Sequence, residues 1–126
     1  MNILLVIGTR VVILALIAYT IAVLTEQNRH KVTNSVLIFI TIGITLDITA
    51  TTFMIAGSEN SPFTLHGILG YSSLIAMLID AVLLWRFRIR EGQEAVVTKS
   101  LHLYSRYAFI WWILAFITGA LLVIFK

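Results

Sequence analysis

Four apolar runs dominate this chain, and each is close to the length of about 20 residues that an α-helix needs to cross a hydrocarbon core. They are Ile3 to Leu24, Ser35 to Ala56, Leu65 to Trp85 and Leu103 to Phe125. In hydrocarbon every backbone N–H and C=O must be satisfied within the protein, which restricts spanning segments to helices and closed barrels. The runs predict helices over 3–24, 35–56, 65–87 and 101–125, in a single transmembrane domain over 1–126. The links between them are short, so successive helices run antiparallel. The expected fold class is all-α, an integral membrane antiparallel four-helix bundle.

Composition narrows the functions. Of 126 residues, 60% are hydrophobic and 12% charged, against about 25% charged in a soluble domain. A disordered chain needs the opposite balance. With no cysteine, a disulfide scaffold, a thiolate metal site, an Fe–S cluster and a thioether-linked haem are all excluded. No phosphate-binding glycine loop, nucleophile elbow or Ser/His/Asp arrangement appears, and nothing suggests a nucleic-acid partner. An enzyme is not expected, beyond whatever redox activity a bound cofactor would bring. Arg10 lies inside the first run and no small-x-small cleavage site follows it, so that run reads as a span rather than a cleaved signal.

The connecting segments set the orientation. The first, Thr25 to Asn34, holds Arg29 and Lys31; the third, Arg86 to Ser100, holds Arg86, Arg88, Arg90 and Lys99. The second, Gly57 to Thr64, holds no lysine or arginine and carries Glu59. Positively charged loops stay on the cytoplasmic side, so both termini are expected outside. Trp85, Tyr104 and Tyr107 fall at the inner boundary, where aromatic side chains gather. Pro62 suits an early helix position and Gly92 a helix stop.

Charges within the spans cost roughly 2.5–3.5 kcal/mol each at mid-depth, so they call for partners. Arg10 and Asp47 lie about 10 and 13 Å from the outer ends of their helices, near one level and opposite in sign. Asp80 lies near the inner end of the third helix, within reach of Arg106 in the fourth. Either these are structural ion pairs and nothing more, or the arginines also face an anionic group on a ligand. Asp47 or Asp80 could alternatively serve a small proton-coupled transporter.

The third helix has an informative stripe. His66, Gly70, Ser73, Met77 and Asp80 recur at spacings of four and three, on one face. Polar and small residues on one face of an apolar helix point into a bundle, for close packing or to leave room for a flat ligand. Gly43, Asp47, Ala50 or Thr51, and Met54 form a similar stripe on the second helix. On the fourth, His102, Arg106, Phe109, Ile113 and Phe116 share a face. Core histidines on facing helices can hold haem iron, which makes His66 and His102 the candidate ligands. Antiparallel helices set them near opposite membrane faces, about 25 Å apart, too far to share one iron. Two sites, a second role for one of them, or a second protomer in a homodimer would resolve this. Met54 and Met77 are possible sixth ligands, although methionines in apolar helices usually fill gaps. His30, between Arg29 and Lys31, reads as a solvated loop residue.

These residues also carry a family resemblance. Leu14-Ala15-Leu16 with Tyr19-Thr20-Ile21, Asp47 with Thr49 and Thr51, Leu65-His66-Gly67 with Gly70, and Leu101-His102 with Tyr104-Ser105 occur in that order across nearly the whole chain. Together they resemble the HsmA family of small four-helix haem-sensing membrane proteins. The resemblance implies a bacterial inner-membrane protein that binds haem b, limits haem toxicity and helps against oxidative stress, with His66 and His102 as ligands. Arg10 and Arg106 would neutralise propionates, and Asp47, Gly70, Ser73 and Asp80 would line the site. The family's histidine near the inner end of the third helix is replaced here by Asp80, followed by Ala81. Asp80 would then orient His102 or pair with Arg106. A b-type cytochrome passing electrons across the membrane or to quinone is the nearest alternative.

Overall fold

The computed structural model describes residues 3–57, 65–92 and 94–124. They form four helices: α1 (Ile3–Arg29), α2 (Asn34–Gly57), α3 (Leu65–Glu91) and α4 (Lys99–Ile124). The turn read over 57–64, with Pro62, falls outside the described residues from 58 onward. At 1.5 Å per residue each helix is longer than the roughly 30 Å of a hydrocarbon core. Two helices outrun the apolar runs that announced them. α1 continues five residues past Leu24, because Thr-Glu-Gln-Asn-Arg is polar but contains no helix breaker. It stops where His30 turns left-handed at φ 57°, its N–H donating to the Glu26 carbonyl at 2.7 Å. α3 stops the same way at Gly92, φ 89°, whose N–H reaches the Arg88 carbonyl at 3.0 Å. Left-handed residues just past a helix end satisfy carbonyls that would otherwise be orphaned. At the starts of α2 and α4, the Thr33 and Thr98 hydroxyls accept from the N–H groups of Val36 and Leu101, as N-caps do.

The helices pack up and down around a square. α1 lies closely along α2 and α3 along α4, while α2–α3 and α1–α4 form looser seams. Small residues let α1 and α2 approach. Ala15, Ala18 and Ala22 are buried on α1, as is Ala50 on α2, and the Tyr19 ring lies directly over Gly43. A Cβ at Gly43 would fall 2.4 Å from Tyr19 Cδ1. Tyr19, Ile40, Met77 and Leu84 fill the centre.

The α1–α2 and α3–α4 connections are clasped together at one end. The Val97 N–H donates to the His30 carbonyl at 2.7 Å, and Lys31 and Val96 form an antiparallel bridge. Lys31 Nζ lies 3.3 Å from a Glu94 carboxylate oxygen. Arg88 donates to the Val32 carbonyl at 3.0 Å and to Asn34 Oδ1 at 2.6 Å. Val32 and Val97, one from each loop, are buried as apolar plugs in that end.

The exterior is apolar and the interior holds the polar groups. Ile13, Leu14, Ile17, Ile38, Ile42, Ile75, Ile79, Ile110 and Leu114 are exposed, whereas Glu26, Asp47, Ser73, Asp80, His102 and Ser105 are buried. Exposed helix hydroxyls bend back to their own carbonyls, as from Thr45 to Thr41, Thr49 to Thr45 and Thr52 to Ile48. Among the described residues, Val6–Arg29, Asn34–Phe53 and Ile68–Glu91 are long and apolar enough to cross a membrane.

Gly43→Ala drives a methyl group into the Tyr19 ring. It is expected to cost about 1–3 kcal/mol, the usual penalty of overpacking, read as a lower thermal midpoint of the detergent-solubilised protein.

Candidate functional site

Three buried polar centres lie along the bundle axis, and the first is at the clasped end. Ala15, Tyr19, Ala22 and Glu26 recur at helical spacing, so the inward face of α1 runs on to Glu26, which is fully buried. Across the α1–α4 seam, His102 Nδ1 lies 3.1 Å from Glu26 Oε1. Gln27 Nε2 donates to Glu26 Oε2 at 2.7 Å and to the His102 carbonyl at 2.9 Å. Arg106 Nε donates to Gln27 Oε1 at 3.0 Å, and its terminal nitrogen lies 3.4 Å from His102 Nε2. A guanidinium only donates. His102 Nε2 therefore presents its lone pair to Arg106, and Nδ1 carries the proton given to Glu26. The His30 ring stacks on His102, with centroids 4.4 Å apart and an interplanar angle of 21°.

The second centre is at mid-bundle. Asp47 Oδ2 accepts from the Tyr19 hydroxyl at 2.8 Å and from Trp112 Nε1 at 2.9 Å. The Tyr19 and Trp112 rings meet edge to face at 5.0 Å, and Phe116 stacks beyond Trp112. The third centre is Asp80, fully buried. Ser105 donates its hydroxyl to Asp80 Oδ1, while Oδ2 has no hydrogen-bond partner among the described residues. One turn away, Tyr104 donates to the Ala76 carbonyl at 2.9 Å.

Several expectations change here. Arg10 is exposed and does not hold Asp47, whose partners are the neutral donors Tyr19 and Trp112. Arg106 does not hold Asp80, because the inward face of α4 is Leu101, Ser105, Ala108, Trp112 and Ala115. That face is one residue round from the expected stripe of His102, Arg106, Phe109, Ile113 and Phe116. Arg106 is consequently exposed, and His102 is buried at the seam. Asp80 does not orient His102; Glu26 does. His30 is exposed, but it stacks on His102 and caps α1, two roles that a solvated loop residue would not have.

The inward faces of α2 and α3 are as expected. Gly43, Asp47 and Ala50 face the core, and so do Ser73, Met77 and Asp80. Met77 is fully buried among apolar neighbours, and Ser73 donates to the carbonyl of Gly70. A Cβ at Gly70 would meet nothing within 4 Å, so its smallness leaves space rather than permitting contact. The side chains of Met54 and His66 lie outside the described residues. Among the described residues, no group of three or more histidine, aspartate or glutamate side chains is gathered to hold a metal ion.

Sequence reasoning missed Glu26, Gln27 and His30 because it ended the first helix at Leu24. The signal was present: the Ala15–Tyr19–Ala22 spacing reaches Glu26 without a break. No family model matches the chain, and neither the curated proteins nor the solved structures contain a match to it.

Tyr19→Phe and Trp112→Phe each remove a donor from the buried Asp47 carboxylate. Each is expected to cost about 1–3 kcal/mol, with Arg10→Gln leaving the melting temperature of the solubilised protein unchanged. A large loss with Arg10→Gln would restore the ion pair.

Proposed function

We propose that this chain is an integral membrane protein of the bacterial inner membrane that binds haem b and sequesters it. All four helices cross the bilayer, with the clasped end cytoplasmic and both termini outside. The apolar exterior supports the membrane placement, since contiguous exposed apolar surface on this scale is rare on soluble monomers. The observation that carries the haem reading is the Glu26–His102 pair. A carboxylate on Nδ1 fixes the ring and its tautomer and makes the other nitrogen more basic, which is how proteins prepare a metal-binding histidine. Nε2, the nitrogen left with a lone pair, lies beside the Arg106 guanidinium.

At the clasped end one histidine nitrogen, His102 Nε2, would be offered to the haem. His102 would hold the iron and Arg106, released from Nε2, would neutralise a propionate. Gln27 ties Glu26, the His102 carbonyl and Arg106 together, so that the ring keeps its orientation when Arg106 turns away. His66 opens α3 at the opposite end of the bundle, roughly 20–25 Å along the axis by helical rise, and is the second ligand candidate. When bound, the haem would supply redox chemistry towards oxidants. The chain's own contribution is to draw a hydrophobic porphyrin out of the bilayer and keep water away from it. Arg10, exposed near the far end, would serve a propionate at His66, while Asp47, Gly70, Ser73 and Asp80 would shape the interior between the two positions.

A second reading is favoured by one observation. Asp80 Oδ2 is buried without a partner, and an unsatisfied carboxylate in a membrane interior is a functional group by default. On that reading the protein moves protons with a solute through Asp80.

Haem titration of the purified full-length chain, followed at the Soret band, tests the first reading. His102→Ala is expected to abolish or strongly weaken the Soret-forming site at the clasped end. Glu26→Ala is expected to weaken it by about 10–100-fold. No Soret band in the parent protein, or a band untouched by His102→Ala and His66→Ala together, overturns haem ligation. pH-gradient-driven uptake in proteoliposomes that is lost in Asp80→Asn would favour the second reading.

A further inference from the structure

Three arginines alternate along the last turns of α3, and they are used differently. Arg88 is committed to the loop clasp through Val32 and Asn34. Arg86 and Arg90, four residues apart, lie on one face of the helix, and both are exposed. Among the described residues, neither makes a hydrogen bond or an ion pair. Both line an open groove of about 740 Å³ between the end of α3 and the start of α4, within the 300–1,000 Å³ usual for small-ligand sites. Phe87 and Tyr104 supply apolar wall, and Ser100 brings a hydroxyl from the first turn of α4. Glu91 is the acidic side chain on the lining.

We propose that this groove binds the phosphate headgroup of an anionic phospholipid, with Arg86 and Arg90 on the phosphate and an upper acyl segment along Phe87 and Tyr104. The depth suits a headgroup. Trp85, next in sequence to Arg86, is exposed on the outside, as indole rings are at the boundary between hydrocarbon and headgroups. The end carries Arg29, Lys31, Arg86, Arg88, Arg90, Lys99 and Arg106 out of nine lysines and arginines in the chain. A basic pocket between helices at such a boundary is complementary to anionic lipid. A small aqueous anion would use the guanidinium groups but would gain nothing from the apolar walls, which favours the lipid as occupant. The inference rests on the membrane reading and is independent of haem.

The test uses the full chain, solubilised and then reconstituted into nanodiscs. Lipid adducts are measured by native mass spectrometry, with phosphatidylglycerol competing against phosphatidylcholine of the same chains. Phosphatidylglycerol is expected to be retained selectively. Arg86→Gln/Arg90→Gln is expected to weaken that selectivity by roughly 10- to 30-fold, and Arg29→Gln, which removes a charge at the same end but off the groove, to leave it within about twofold. Equal retention of both lipids, or an equal loss with Arg29→Gln, overturns the groove as a site. Displacement of the lipid by millimolar inorganic phosphate overturns the lipid as its occupant. Carbonate extraction of the expressed protein separates the two failures. Release from the membrane ends the membrane reading and this proposal with it, whereas retention without lipid selectivity ends the proposal alone.

Discussion

An apolar exterior forces the polar side chains of this bundle inward, and most of its architecture follows from that. Where the surroundings offer no hydrogen bonds, a carboxylate must find its donors among its neighbours. Asp47 finds a phenol and an indole, Asp80 a serine, and Glu26 an imidazole and an amide. Each solution ties together side chains from different helices. Polar contacts set which helices meet at what register, and the small residues of α1 and α2 let the closest pair approach.

The sequence carried more of the fold than of the site. Run lengths gave four helices and their antiparallel order, and the stripes on α2 and α3 predicted which of their residues are buried. Partner assignment failed for a physical reason. Matching Arg10 to Asp47 and Arg106 to Asp80 by depth and charge ignored rotation about the helix axis, and one residue of error on α4 moves a side chain about 100°. It also undervalued neutral donors. In a low-dielectric interior a phenol and an indole satisfy a carboxylate without a second charge to desolvate. Glu26 escapes a reading that takes polarity as the end of a helix, because hydrophobicity marks an apolar surface and says little about where a helix's hydrogen bonds stop.

The bundle is best described as two hairpins, α1–α2 and α3–α4, joined along looser seams. His102, Glu26 and Gln27 bridge one of those seams, and Asp47 reaches Trp112 across the interior. Side chains at such a boundary can change partners with less disturbance than those inside a hairpin. Arg106, held by Gln27 and His102 while still open to the outside, is the residue freest to do so. The same logic separates the three arginines of α3: one is fixed in place by backbone and side-chain oxygens, and the two flanking it are exposed, with no hydrogen bond or ion pair among the described residues.

Val32 and Val97 work as a cork. Their isopropyl groups are buried in the core at the clasped end, so the two loops share one apolar seat there. Exposing either valine requires the two loops to lift together, a local opening event of the whole clasp. The backbone bond from Val97 to His30 couples those movements, because neither loop leaves its seat without breaking it.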